Sequence, residues 1–460
     1  MFIFIRWKLT SATLIVIATI IVACFYSCSH SVNTPNDTKF LQEFHLTNFA
    51  QHDKMLKEGQ LNLFVDYSTC CARGQNSSFF QDVSASLVNK TTDYYAIQGK
   101  DINKVDIANN GGVYSLLRNI NDVNYAELAG AADQMAAADC ESVLLTDGEY
   151  FTPSIAKGHD NDPWLAKSLK TWILKGHDVH IFSETYIEPY LQGQARKKRF
   201  YILFTDDRLP NNIYERIRNT VNLQNYPNVD EFHISASHPR LSGKGNNGST
   251  QNEILQSRLQ GYGTFEIEEW NGCDWGTIED FIVCAVDDKT GNPIPNGASV
   301  IQMGIDKNSF GCYSIKALGV KTYNINEQYF DFYTQKEVSP KQKVEIDKQS
   351  VTEIENFMLI DKQEFDRHSN INIHFNQDFF TTDALDGEPY NYLKIDIAIQ
   401  EVESIFSQHE SMFEFDSITL PGTKNVSVAS SIKQCLADDA VKKQMLGQVI
   451  YTIYVKTEAK

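Results

Sequence analysis

Two hydrophobic periods divide this chain. Between residues 40 and 236, short apolar runs alternate with segments whose apolar residues recur at helical spacing; after residue 255 the period falls to two. In the first stretch Leu61, Leu63 and Val65 mark a strand ending at Asp66, and residues 93–97 mark the next. Residues 142–146 form a strand ending at Asp147, residues 179–182 another, and residues 199–204 one that ends near Asp206. Phe232 to Ile234 closes the series. The intervening helices carry their own punctuation. Ser77 or Ser78 caps a helix bearing Phe80, Val83 and Leu87, and Asn124 caps a second with Glu127 completing a capping box. Asp162 and Pro163 open a third, whose stripe is Leu165, Leu169, Trp172 and Ile173, with Gly176 as its stop. Asn212 opens a fourth with Ile213, Ile217 and Val221. Strands alternating with amphipathic helices predict a doubly wound α/β domain over residues 40–236, stable without the rest. Its sheet is expected to be mostly parallel and covered on both faces, with ligands at the carboxyl ends of its strands.

Residues 237–254 are rich in Gly, Asn and Ser and read as a linker. The alternating strands beyond it predict β-sandwich modules at 255–345 and 346–460. The second carries one helix, over about 432–446, capped by Ser431. The fold class is thus multidomain, an α/β doubly wound domain followed by β-sandwich modules. With 42% hydrophobic residues over 460 positions, wholesale disorder is excluded. The net charge of −18, without a long basic run, argues against a nucleic-acid partner, because duplex binding rests on phosphate neutralisation.

The amino terminus reads as an export signal. Arg6 and Lys8 precede an apolar run at residues 12–22, too short for a confident membrane span, and the run leads into Ile21, Val22, Ala23 and Cys24. This frame resembles a bacterial lipobox, in which the cysteine is lipidated. Residues 1–28 are therefore expected to be the signal peptide and lipobox, with residues 29–39 forming a tether and Cys24 bearing the lipid in preference to Cys28, which follows the bulky Phe25 and Tyr26. The alternative is an uncleaved anchor helix running to Tyr26. Cys24 is followed by Phe25 and Tyr26 rather than Asp, so outer-membrane sorting is the default, facing the periplasm or the exterior. Such a compartment permits disulfides among the remaining cysteines. Cys140 is a possible partner for Cys70 or Cys71, and Cys284 for Cys312. No C-x-x-C occurs, which argues against a zinc ribbon or a thioredoxin-like site.

Two of the acid-ended strands sit in distinctive frames: Asp66-Tyr67-Ser68-Thr69-Cys70, and Thr146-Asp147-Gly148-Glu149. With the order of strands and helices, they resemble the von Willebrand factor type A family, whose metal-ion-dependent adhesion site uses D-x-S-x-S after the first strand and D-G after the fourth. The resemblance implies that Asp66, Ser68 and Asp147 hold a divalent ion, Mg²⁺ or Ca²⁺, and that an acidic group of a protein or glycan partner completes its coordination. The site is degenerate. Cys70 stands where the family has a second Ser, and the loop at 122–125 lacks the family's Thr. A thiol suits a hard ion poorly. The implied function is partner binding by a membrane-anchored lipoprotein. The rivals are a metal-dependent hydrolase using the same carboxylates and a purely structural envelope subunit.

No catalytic frame is evident, so binding is favoured over catalysis. Ser68 lacks the G-x-S-x-G elbow of a nucleophile. His159, Asp160, Asp162, His177, Asp178 and His180 suggest a di-metal hydrolase but lack a supporting frame, and read as polar turn residues. The basic run Arg196, Lys197, Lys198 and Arg199 reads as a solvated turn, with a patch for anionic lipid or glycan as the alternative.

Overall fold

A computed structural model describes residues 56–68, 72, 76–120, 125–151, 160–190 and 193–237 of the first half. In the second half it describes residues 266–268, 276–281, 299–304, 307–308, 310–328, 352–356, 358–375, 390–417, 420 and 422–458. Cys24 with the signal segment, the tether at 29–39, Cys70, Cys71, Asn124, His159, Cys284 and linker positions 238–254 lie outside the described residues. Among the described residues, no helix is long and apolar enough to cross a membrane.

The first half builds a seven-stranded mixed sheet. Its strands are β1 (Lys57–Asp66), β2 (Asp93–Gln98), β3 (Asp101–Val105), β4 (Cys140–Thr146), β5 (Asp178–Tyr190), β6 (Gly193–Thr205) and β7 (Val229–Ile234), in the order β3-β2-β1-β4-β6-β5-β7. Within this sheet, only the neighbours β2–β1 and β1–β4 pair in parallel. The pairs β2–β3, β4–β6, β6–β5 and β5–β7 are antiparallel, so the expected mostly parallel sheet is corrected to a mixed one. The cause is local. Two residues separate Tyr190 from Gly193, and so short a connection permits only an antiparallel hairpin. The hairpin turns β6 back along β5 and seats it against β4.

Alternate side chains of each strand enter opposite layers. Leu61, Leu63 and Val65 pack with Phe79, Phe80, Val83 and Leu87 of α1 (Ser78–Val88). The same layer takes Leu116 and Leu117 of α2 (Val113–Arg118) and Ile213 and Ile217 of α5 (Ile213–Thr220). Phe64, Leu144, Ile202 and Phe204 face the other layer, built by Ala131 and Met135 of α3 (Leu128–Ala137) and Leu169 and Trp172 of α4 (Ala166–Ile173). Ser77 caps α1 and Asn212 caps α5 as expected, each accepting a backbone N–H three residues on. Gly176, at φ +84°, ends the turn after α4. Two helix starts are corrected. Glu127 is the N-cap of α3 rather than a residue inside it, and α4 begins at Ala166 with Leu165 as its N-cap, later than Asp162 and Pro163 suggest.

The second half contributes β8 (Glu266–Glu268), β9 (Gly276–Phe281), β10 (Ser299–Gly304), β11 (Tyr313–Asn324), β12 (Thr352–Ile354), β13 (Met358–Ile360), β14 (Asn370–Phe375), β15 (Tyr390–Ser404) and β18 (Val449–Glu458). They form a six-stranded sheet, β12-β11-β15-β18-β9-β8, and a three-stranded one, β10-β14-β13. Both sheets draw strands from either side of residue 345. A short pair, β16 (Phe415–Asp416) with β17 (Lys424–Asn425), lies beside β6. In place of the single expected helix, the described residues of this half hold three α-helices. The first, α6 (Lys362–His368), precedes β14; α7 (Ser427–Ala437) and α8 (Asp439–Met445) precede β18. Ser431 lies inside α7 rather than capping it, and its Oγ accepts from the Leu165 backbone N–H at 3.1 Å. Asp438 caps α8 through the Ala440 N–H. Cys140, Cys312 and Cys435 are buried free thiols, so the expected bridges of Cys140 and Cys312 do not form.

The second apolar layer does not stop at residue 236. Val428 and Ile432 of α7, together with Phe406, Phe413 and Phe415, belong to the same buried cluster as Leu165, Trp172 and Phe200. Phe413 packs edge-on against Phe232 with ring centroids 5.5 Å apart. Residues beyond 400 thus complete the cover of the first sheet, and one core is shared by segments that the sequence separates. Phe413→Ala should cost about 3–5 kcal/mol, as for a large buried aromatic, and lower the unfolding midpoint of the first sheet together with that of the whole. Calorimetry checks this. Separate transitions, with only one shifted by the substitution, would contradict a shared core.

Candidate functional site

Asp66 ends β1 and Asp147 follows β4, its parallel neighbour, so both carboxylates emerge at one edge of the sheet. Both are essentially fully buried, and Ser68 nearly so. The three sequence candidates converge. The Ser68 hydroxyl donates to Asp147 Oδ2 at 3.2 Å, and the Ser68 backbone N–H donates to Asp66 Oδ1 at 2.8 Å. The other oxygen of Asp66 accepts from Thr146 Oγ1 at 2.7 Å. Asp147 Oδ1 accepts from the Glu149 N–H at 2.9 Å, closing a local turn.

Gly148 explains the second half of the D-G pair. Its φ is +75°, and a Cβ there would lie 2.6 Å from the Phe200 ring and 3.1 Å from Val428. Only glycine adopts this conformation and lets the two neighbours close over it. The Ser427 hydroxyl donates to the Gly148 carbonyl at 3.3 Å, so the start of α7 packs directly on the motif.

Among the described residues, one cation, Lys197, faces this edge from within the protein. Lys197 of β6 donates to Glu149 and, at 2.7 Å, to the Asp416 carbonyl. The basic run is therefore corrected from a solvated turn to strand interior. Lys197, Lys198 and Arg199 are buried and face Glu149, Asp230 and Glu184 respectively. Lys197 offsets the charge of Glu149.

Burial pushes the Asp66 carboxyl above its ordinary pKa, with the hydrogen bonds of Thr146 and Ser68 opposing. Asp147 is pushed well above, first by burial and then by the neighbouring charges of Asp66 and Glu149. Burial lifts Glu149 to about 7 against the pull of Lys197. This edge favours added positive charge, as protons or as a metal ion. Carboxylate and hydroxyl oxygens suit a hard divalent ion.

The third acid-ended strand leads elsewhere. Because β6 runs against β4, Asp206 lies at the opposite edge of the sheet. Burial raises its carboxyl, but the His177 and Arg208 hydrogen bonds outweigh that and hold it below the usual range. Beside it, His180, Asp207 and His233 gather, which the sequence did not suggest as a set. The only hint was polar His180 and His233 inside otherwise apolar strands, and their pairing depends on the β5–β7 register. Asp160, the other acid of the expected hydrolase set, accepts from Ser417 Oγ at 2.7 Å and Asn425 Nδ2 at 3.1 Å.

The raised carboxyls give a pH dependence with a definite sign. The folded state holds these protons more tightly than the unfolded chain does. Their contribution is therefore most favourable below the unfolded values and is lost as pH rises through the folded ones. For Glu149 that window runs from 4.5 to about 7. In chelator, the unfolding midpoint should fall between about pH 5 and pH 7.5, and Asp147→Asn, which removes one charge, should raise the midpoint at the upper end. A midpoint that climbs across this range in wild type would contradict the assignment.

No known protein family, curated protein or solved structure matches the chain.

Proposed function

We propose that this chain is a membrane-anchored bacterial envelope lipoprotein that binds a protein or glycan partner through a divalent ion, Mg²⁺ or Ca²⁺, held by Asp66, Ser68 and Asp147. The observation that carries the reading is the pair of buried carboxylates at the ends of adjacent parallel strands, bridged by Ser68, whose hydroxyl donates to Asp147 and whose backbone N–H donates to Asp66. Two such groups side by side repel each other, and a cation between them removes the repulsion. In this reading Asp66 and Ser68 bind the ion directly, Asp147 binds it directly or through water, and an acidic group of the partner fills an open position. The first half is then a von Willebrand type A-like domain with a degenerate adhesion site. The sheets of the second half serve as β-sandwich-like spacers and packing partners. A lipid on Cys24 provides the anchor, in the outer membrane of a two-membrane cell.

Binding is preferred to hydrolysis because a hydrolytic site needs a base beside the ion to activate water. Among the described residues, Glu149 and Lys197 beside the pair are engaged with each other. Ion binding is tested by thermal unfolding with Mg²⁺, Ca²⁺ or Mn²⁺ against monovalent salt of equal ionic strength. An ion at ~100-fold excess over its Kd should stabilise the wild type by about 2.7 kcal/mol and leave Asp66→Ala unmoved. No shift in wild type, or an equal shift in both, would remove the ion from the account. The anchor is tested separately. A palmitate analogue should label the wild type and not Cys24→Ala; labelling lost only in Cys28→Ala would move the anchor.

A further inference from the structure

The opposite edge of the first sheet carries a second constellation with different chemistry. His180 of β5 and His233 of β7 are directly opposed in the antiparallel register. Their rings are parallel within 5° and their centroids 4.3 Å apart. Asp207, just beyond β6, reaches both. Its Oδ1 lies 2.9 Å from His180 Nε2 and its Oδ2 3.6 Å from His233 Nε2. One ligand atom from each of the three residues lies within 4.8 Å of the others. Tetrahedral zinc, with bonds of about 2.0–2.2 Å, sets its ligand atoms about 3.3–3.5 Å apart. The two carboxylate distances, one from each Asp207 oxygen, bracket that separation. Because a metal lies in the plane of each imidazole it binds, one of the two parallel rings turns out of the stack when both nitrogens take the same ion. Asp207 is the most exposed of the three side chains, at 13%, and gives an ion a way in.

The surroundings fix these side chains before an ion binds. Tyr214 stacks on His180 with centroids 3.7 Å apart, so that ring is stacked on both Tyr214 and His233. Asp178 Oδ2 accepts from the Asp207 backbone N–H at 2.9 Å, and its Oδ1 lies 3.2 Å from His233 Nε2. A Cβ added at Gly311, φ +71°, would lie 2.9 Å from the His233 carbonyl oxygen. A turn from the second half of the chain therefore packs on the backbone of this ligand. Asp178 contacts the nitrogen of His233 that faces Asp207, so it stands as a further oxygen ligand beside the ion rather than as a group that orients the ring.

We propose that His180, His233 and Asp207 form a binding site for a divalent transition ion of the zinc class, separate from the oxygen-ligand edge at Asp66 and Asp147. Two imidazoles with one carboxylate select borderline ions over Mg²⁺ and Ca²⁺. The site leaves a fourth position for water or for Asp178.

The test uses tag-free full-length chain, stripped with chelator and titrated with Zn²⁺ by calorimetry, and with Co²⁺ followed by visible absorption. The wild type should take up one equivalent that excess Mg²⁺ does not displace, and Co²⁺ should give the intense bands of a four-coordinate site. His233→Gln and Asp207→Asn should each weaken Zn²⁺ binding by at least about tenfold, while Asp66→Ala leaves it unchanged. Circular dichroism identifies any variant that fails to fold. If both ligand variants unfold, the wild-type Co²⁺ spectrum decides. An absence of uptake or of four-coordinate bands, or equal affinity in folded ligand variants, would overturn the proposal and leave a hydrogen-bonded histidine–aspartate network.

Discussion

Two carboxylates buried side by side at the ends of β1 and β4 are the constraint around which this edge of the molecule is arranged. Each charge taken from water must be compensated by hydrogen bonds, a proton or a counter-ion. Thr146, Ser68 and the Glu149 N–H supply hydrogen bonds, and Lys197 supplies one positive charge by way of Glu149. Gly148 permits the turn, and Phe200 and Val428 close over it. The site therefore rests on residues separated by more than three hundred positions in sequence, and its geometry depends on the docking of α7.

Much of this was legible locally. The D-x-S and D-G frames placed Asp66, Ser68 and Asp147 at strand ends, and the structure brings the three within hydrogen-bond reach. The caps at Ser77 and Asn212 and the stop at Gly176 follow from side-chain chemistry within a few residues. What was not legible depends on pairing at long range. The direction of β6 is set by its hairpin with β5, and that direction moves Asp206 to the opposite edge. The charges at 197–199 look solvated in sequence because their partners, Glu149, Asp230 and Glu184, come from other elements. The histidine cluster needs the register of β5 against β7 before it exists at all.

The two edges of the sheet also differ in kind. One offers carboxylate and hydroxyl oxygens that suit hard ions, the other imidazoles with a carboxylate that suit borderline ones. Both lie against second-half residues, through Ser427 and Val428 on one side and Gly311 on the other. The shared core makes the second half part of the support for each site rather than a passive extension.

The most direct measurement of the central claim is a crystal structure with Mn²⁺ present, using its anomalous scattering to locate the ion. The account predicts a peak between Asp66 and Asp147, within about 2.0–2.6 Å of an oxygen of the site. A map in which Ser68 still bridges the two carboxylates with no ion between them, or one with Mn²⁺ only at His180 and His233, would contradict it.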